Sequence, residues 1–142
     1  MKRQIKKWML VFASALSVLL SACAGGGLSA PDVSDPAYRT ITAQEAKAIL
    51  DGTDPFVLLD VRTETEFQQG HIEGAILIPN DALADRAAEE LPDRDALILL
   101  YCRSGRRSAA AAKQLSIMGY TNVIDFGGII DWPYETVSGE KK

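Results

Sequence analysis

Two nearly unbroken apolar runs, Phe56-Val57-Leu58-Leu59-Asp60-Val61 and Ala96-Leu97-Ile98-Leu99-Leu100-Tyr101, constrain this chain more than any other feature. Neither alternates apolar with polar residues, so each reads as a strand buried on both faces, as in a parallel sheet covered by helices. Helical signals fall between and around them. Thr42-Ala43-Gln44-Glu45 is a capping box that opens a helix through Leu50, with Ala46, Ile49 and Leu50 inward and Asp51-Gly52 as its stop. Thr63 with Glu66 caps a short turn around Phe67, 75–78 is a strand broken by Pro79, and 81–91 is a helix stopped by Pro92. Beyond the second run, 108–118 is a helix offering Ala111, Ala112 and Leu115 for packing and ending at Gly119, and 123–126 is the last strand. The alternation begins at about Tyr38 and predicts an α/β domain with a mainly parallel central sheet and helices on both faces. At 142 residues the chain has room for one such domain and not for two.

The residues before the domain read as a targeting segment. Lys2, Arg3, Lys6 and Lys7 form a basic start without an acid, and Trp8 to Leu20 is a thirteen-residue run of apolar and small residues. That length is short for a membrane span and suits a signal-peptide core. The run ends Leu20-Ser21-Ala22-Cys23, which resembles the bacterial lipobox. The resemblance implies a lipoprotein signal peptide over 1–22 and a diacylglycerol thioether on Cys23. Residues 23–37, with Gly25-Gly26-Gly27, Pro31 and Pro36, are then a flexible lipid-anchored tether. The domain is expected over 38–135 and a frayed tail over 136–142. Such a protein is extracytoplasmic, held to the bacterial membrane and facing the periplasm. Ala24 in place of an Asp after the cysteine points to the outer membrane in a cell that has one.

Removing residues 1–22 leaves 11 of the 15 basic residues against 19 acidic ones, a net charge of −8. An acidic body excludes nucleic acid as the natural partner and excludes a polybasic grip on lipid headgroups. It also isolates Arg103, Arg106 and Arg107 as a local positive site. With Cys23 lipidated, Cys102 has no intramolecular partner, and an unpaired thiol outside the cytoplasm is exposed to oxidation. Its presence favours a chemical role.

Cys102 ends the second apolar run, and Arg103-Ser104-Gly105-Arg106-Arg107-Ser108 turns directly into the following helix. In open α/β sheets ligands bind beyond the carboxyl ends of strands, where this thiol lies. Backbone N–H groups of 103–107, the helix N-terminus and the arginines would together favour the thiolate, and guanidinium forks suit sulfonate or thiosulfate oxygens. Gly105 allows the turn.

From these residues outward the chain resembles the rhodanese (sulfurtransferase) family. "FVLLDVRTETEFQQGHIEGAILIPN" (56–80) is similar to the family's Asp-Val-Arg strand and Gly-His-Ile-x-Gly-Ala segment, "LILLYCRSGRRSAAAAKQLSIMGY" (97–120) to its active-site strand, loop and helix, and "VIDFGGIIDW" (123–132) to its closing Gly-Gly-x-x-x-Trp element. The resemblance implies a single-domain rhodanese-like fold and a ping-pong reaction without cofactor or metal. Cys102 would take the sulfane sulfur of thiosulfate or a persulfide and pass it, as a persulfide, to a thiol or cyanide. The partners are thus a small anionic donor and a thiophilic acceptor, with the protein expected to be a monomer. Arg107, which closes the loop, is expected to orient the donor's oxygens, with Arg106 next and Arg103 toward solvent. Asp60 and Arg62 are expected to border the pocket and brace the loop rather than touch substrate. His71, the only histidine, belongs to the Gly-His-Ile turn and is structural; it has no second histidine with which to hold a metal. Gly127, Gly128 and Trp132 read as turn and packing residues.

Two other readings compete. A thiol-based phosphatase or arsenate reductase also uses a cysteine, an anion cradle and an arginine. In the phosphatases that share this fold, however, the arginine stands six positions after the cysteine, where this chain has Ser108. A membrane-tethered sulfane-sulfur carrier or binding module would keep Cys102 and turn over little; excess donor and acceptor would separate it from an enzyme.

Overall fold

The computed structural model describes residues 38–139, so the expectations for the signal peptide, Cys23 and the tether lie outside the described residues. The order is β1 (Tyr38–Thr40), α1 (Ala43–Leu50), β2 (Val57–Asp60), α2 (Glu64–Gln69), β3 (Ile76–Leu77), α3 (Leu83–Glu90), β4 (Ile98–Cys102), α4 (Arg106–Ile117) and β5 (Val123–Gly128), followed by a 3-10 turn at Ile129–Asp131. The strands form one sheet in the order β1-β5-β4-β2-β3, every neighbouring pair parallel. β4 is therefore central, and all of its residues are buried, which is why its sequence is apolar without a break.

Alternation along β4 divides the core. Ile98, Leu100 and Cys102 face a cluster with Leu83 and Ala87 of α3 and Ala111, Ala112 and Leu115 of α4. Leu99 and Tyr101 face the opposite cluster with Ala46 of α1, Ile124, Phe126 and Trp132. Each fully buried Leu or Ile in these layers contributes roughly 1.5–3 kcal/mol, so the two clusters hold the sheet from both sides. The same two-residue period decides that Cys102 lies on the face covered by α4.

The capping boxes form as read: Thr42 Oγ1 accepts from Glu45 N–H at 3.2 Å and Thr63 Oγ1 from Glu66 N–H at 3.3 Å, with each Glu returning to its threonine N–H. Three differences stand out. β1 is an edge strand too short to show a period, and it pairs with β5 from Tyr38↔Val123 to Thr40↔Asp125. α4 starts at Arg106 rather than 108, because Gly105 at φ +94° closes the loop and serves as its N-cap. The segment 136–139 is not frayed as expected: His71 and Val137 exchange backbone hydrogen bonds of 2.8 Å, and Gly139 N–H donates to the Gln68 carbonyl. Backbone pairing of this kind leaves no mark on side-chain pattern.

Candidate active site

β4 carries Cys102 to the carboxyl edge of the sheet, and the chain then curls through Gly105 so that α4 begins beneath the sulfur. Cys102 is a free thiol, 1 % exposed, and its Sγ accepts the Gly105 N–H at 3.1 Å. Burial alone pushes this thiol up. The Ser108 hydroxyl and the backbone N–H groups of Ser108, Ser104 and Gly105 outweigh it, and the net displacement is below the ordinary thiol value. The cradle thus draws on the first turn of α4 as well as on the loop.

Ser108 is fully buried, and its hydroxyl donates to the Gly105 carbonyl at 2.9 Å or to the Gly127 carbonyl at 3.2 Å. It joins the loop to the end of β5. Gly128 forms the wall there. A Cβ on Gly128 would lie 2.4 Å from the Arg103 carbonyl oxygen and 2.6 Å from the Ser104 Cα, so only a glycine lets the two backbones meet. Ile130 N–H then donates to the same Arg103 oxygen at 3.2 Å. Asp125, 4 % exposed, fixes this turn by accepting the Gly127 N–H at 2.9 Å, and burial raises its carboxyl above the usual range.

The arginines separate. Arg103 and Arg106 are exposed. Arg107 is partly buried and makes a two-pronged ion pair: Nη1 donates to Glu66 Oε2 and Nη2 to Glu66 Oε1, both at 2.8 Å. The Arg107 guanidinium, together with the Thr63 cap, holds the Glu66 carboxyl down to about 2. Arg107 also lines a hollow of about 190 Å³ with Val61, Arg62, Thr63 and Asn80, whose Oδ1 has no partner. A larger hollow of about 590 Å³, lined by Lys47, Ile72, Trp132 and Tyr134 among others, includes no residue of the cysteine loop.

Asp60 and Arg62 form a buried pair of their own. Arg62 Nη2 donates to Asp60 Oδ2 at 2.6 Å and to the Gly70 carbonyl at 2.7 Å, which ties β2 to the end of α2. These bonds reach the turn before His71 rather than the cysteine loop. His71 is buried, bonded through Nδ1 to the Phe67 carbonyl at 2.9 Å and stacked on the Phe67 ring at 3.6 Å. It is engaged as a packing group. On sequence Glu66 reads as a cap alone, and Asp125 carries no local signal. Glu66 and Arg107 stand 41 positions apart, a separation at which no local pattern operates.

Comparison with known proteins agrees with this geometry. The rhodanese-like domain model matches residues 42–133. The thiosulfate sulfurtransferase PspE of Escherichia coli (strain K12) is 41% identical over 81 residues, covering 57% of this chain and 78% of that protein. A sulfurtransferase of Allochromatium vinosum is 38% identical over 93 residues, covering 65% of this chain and 85% of that one. Among solved structures, a rhodanese with anions from E. coli superposes with a TM-score of 0.57 at 39% identity, over 60% of this chain and all of that one. The family model spans the Asp60–Arg62 strand, the Cys102 loop and the Gly127-Gly128 wall together, and the chain belongs to the rhodanese-like domain family as a rhodanese-type sulfurtransferase.

Proposed function

We propose that sulfur transfer runs through a persulfide on Cys102. The thiolate attacks the outer, sulfane sulfur of thiosulfate or of a low-molecular-weight persulfide. An S–S bond forms at Cys102 as the donor's own bond to that sulfur breaks, and sulfite or a thiolate leaves with the bonding pair. A thiol or cyanide then attacks the outer sulfur of the persulfide, and Cys102 departs as thiolate. No net redox change occurs, and the chain's own groups suffice. Gly105 N–H, with the amides of Ser104 and Ser108, stabilises the anionic sulfur in both states of the cycle. Arg106, exposed beside the loop, draws the donor by its charge, and Arg107 borders the donor's path. Asp60 and Arg62 hold the neighbouring turn.

The observation that carries this reading is the buried Cys102 Sγ accepting a loop N–H at 3.1 Å from the residue that caps α4. Its test is the intact mass of the full chain in detergent before thiosulfate, after it, and after cyanide. A gain of one sulfur atom, removed by cyanide as thiocyanate and absent in Cys102→Ser, is the expected result. No gain with thiosulfate, polysulfide or a small persulfide overturns it. Repeated turnover with excess donor and acceptor is expected of an enzyme, and a single loading would identify a carrier. We also propose attachment to the membrane through a lipid on Cys23, supported by the order of basic start, apolar run and Leu-Ser-Ala-Cys. Fatty-acid labelling that survives Cys23→Ala would sink it.

A further inference from the structure

Arg107, the partly buried arginine of the loop, is not free. Both terminal nitrogens of Arg107 are held by Glu66 at 2.8 Å, in the parallel two-bond geometry that is the strongest carboxylate–guanidinium arrangement. Glu66 is itself set in place independently of Arg107. Its Oε2 accepts the Thr63 N–H at 3.1 Å and the Thr63 hydroxyl at 3.0 Å, as the third residue of the α2 capping box. The side chains are 30 % and 21 % exposed, so solvent screens the pair only in part. Around it, the first turn of α4 contains no acid, and the Gly105 cap contributes no side-chain acceptor. Asp60 also acts on Arg107 through its charge but is already matched by Arg62. Asp81 lines the same hollow as Arg107, but among the described residues Glu66 is the carboxylate that forms an ion pair with the first turn of α4.

We propose that Glu66 is a specificity-determining residue, which neutralises Arg107 and so sets the preference of the site between doubly and singly charged sulfane donors. This rests on the sulfur-transfer reading above. Thiosulfate brings two negative charges and a persulfide or thiosulfonate sulfur brings one. An uncompensated Arg107 would favour the dianion, because each further unit of charge near a half-buried guanidinium is strongly attracted. With Glu66 across it, Arg107 has its two-pronged edge occupied and presents little net charge. The N–H cradle, which recognises the sulfur and not the rest of the donor, then carries more of the recognition.

A chemical coincidence makes this testable. A capping box accepts Gln at its third position as well as Glu, so Glu66→Gln keeps the cap of α2 while removing the charge. The probes are thiosulfate, a dianion, and methanethiosulfonate, a monoanion with a similar sulfonyl group, each with cyanide as acceptor at low ionic strength. Glu66→Gln is expected to raise the ratio of kcat/KM for thiosulfate over methanethiosulfonate by about tenfold. Arg107→Gln, which leaves Glu66 uncompensated, should lower that ratio. The double variant, again neutral, should return it close to that of the unmutated chain. An unchanged ratio in Glu66→Gln, an equal loss with both donors, or a double variant that keeps the Glu66→Gln ratio overturns the proposal. If the unmutated chain forms no persulfide with either donor, the transfer reading falls first and this proposal with it; a persulfide with an unresponsive ratio overturns only the proposal.

Discussion

α2 and α4 begin in opposite ways. α2 opens on a complete capping box, with Glu64 and Glu66 in its first turn where the helix dipole favours acids. α4 opens on a glycine in the left-handed region, has no side-chain cap, and places Arg106 and Arg107 where the dipole disfavours cations. The first start satisfies its own N–H groups and is stable locally. The second leaves its N–H groups to a sulfur atom, and its unfavourable charge is met by Glu66 reaching over from the first. One helix start is capped by its own side chains and the other points an N–H at a thiol sulfur. The poorer helix start is the one beside the Cys102 sulfur.

The largest effect is expected at the sulfur. Cys102→Ser should abolish transfer while leaving the thermal midpoint within a few degrees, since the hydroxyl fills nearly the same buried volume; residual persulfide by mass would contradict it. Gly128→Ala should come next. Its Cβ would fall 2.4 Å from backbone that cannot swing aside, so a loss of about 1–3 kcal/mol and of most activity is expected in denaturant titration and assay. Ser108→Ala removes a hydroxyl that favours the Cys102 thiolate. The lowered thiol keeps activity present below the ordinary thiol value and loses it as pH falls through the lowered one. The variant should therefore move the midpoint of the kcat/KM profile to higher pH; a midpoint that stays put would remove Ser108 from the cradle. The smallest effects sharpen the contrast between caps. Thr42→Ala and Thr63→Ala should each cost about 1 kcal/mol. Only Thr63→Ala should also change the thiosulfate-to-methanethiosulfonate ratio, because only its cap holds the partner of Arg107.

Much of the site was legible from local pattern. Cys102 at the end of an apolar run, the glycine three positions later and the helix that follows all act over a few residues, and the loop was found where they pointed. Asp60 and Arg62 are expected to brace the cysteine loop, but their buried pair bonds to the Gly70 carbonyl instead, a contact made across the fold that the Asp-Val-Arg pattern does not announce. What escaped were residues with two partners. Glu66 reads as a finished capping box, so nothing in its neighbourhood asks for Arg107. Asp125 reads as a polar interruption in a short strand, and its partner is a backbone N–H two residues on. Gly128 reads as a turn, but its necessity comes from Arg103 and Ser104 crossing behind it.

The sequence by itself determined the elements, because strand and helix periods, caps and stops are set by contacts between residues a few positions apart. It also determined the chemistry on offer, since only one thiol stands beyond the apolar strand. The tertiary structure alone decided the strand order that puts β5 beside β4, the glycine wall behind the loop and the carboxylate across the arginine. Those contacts join residues brought together by the crossing of the chain, and their energies depend on distances that no local spacing encodes.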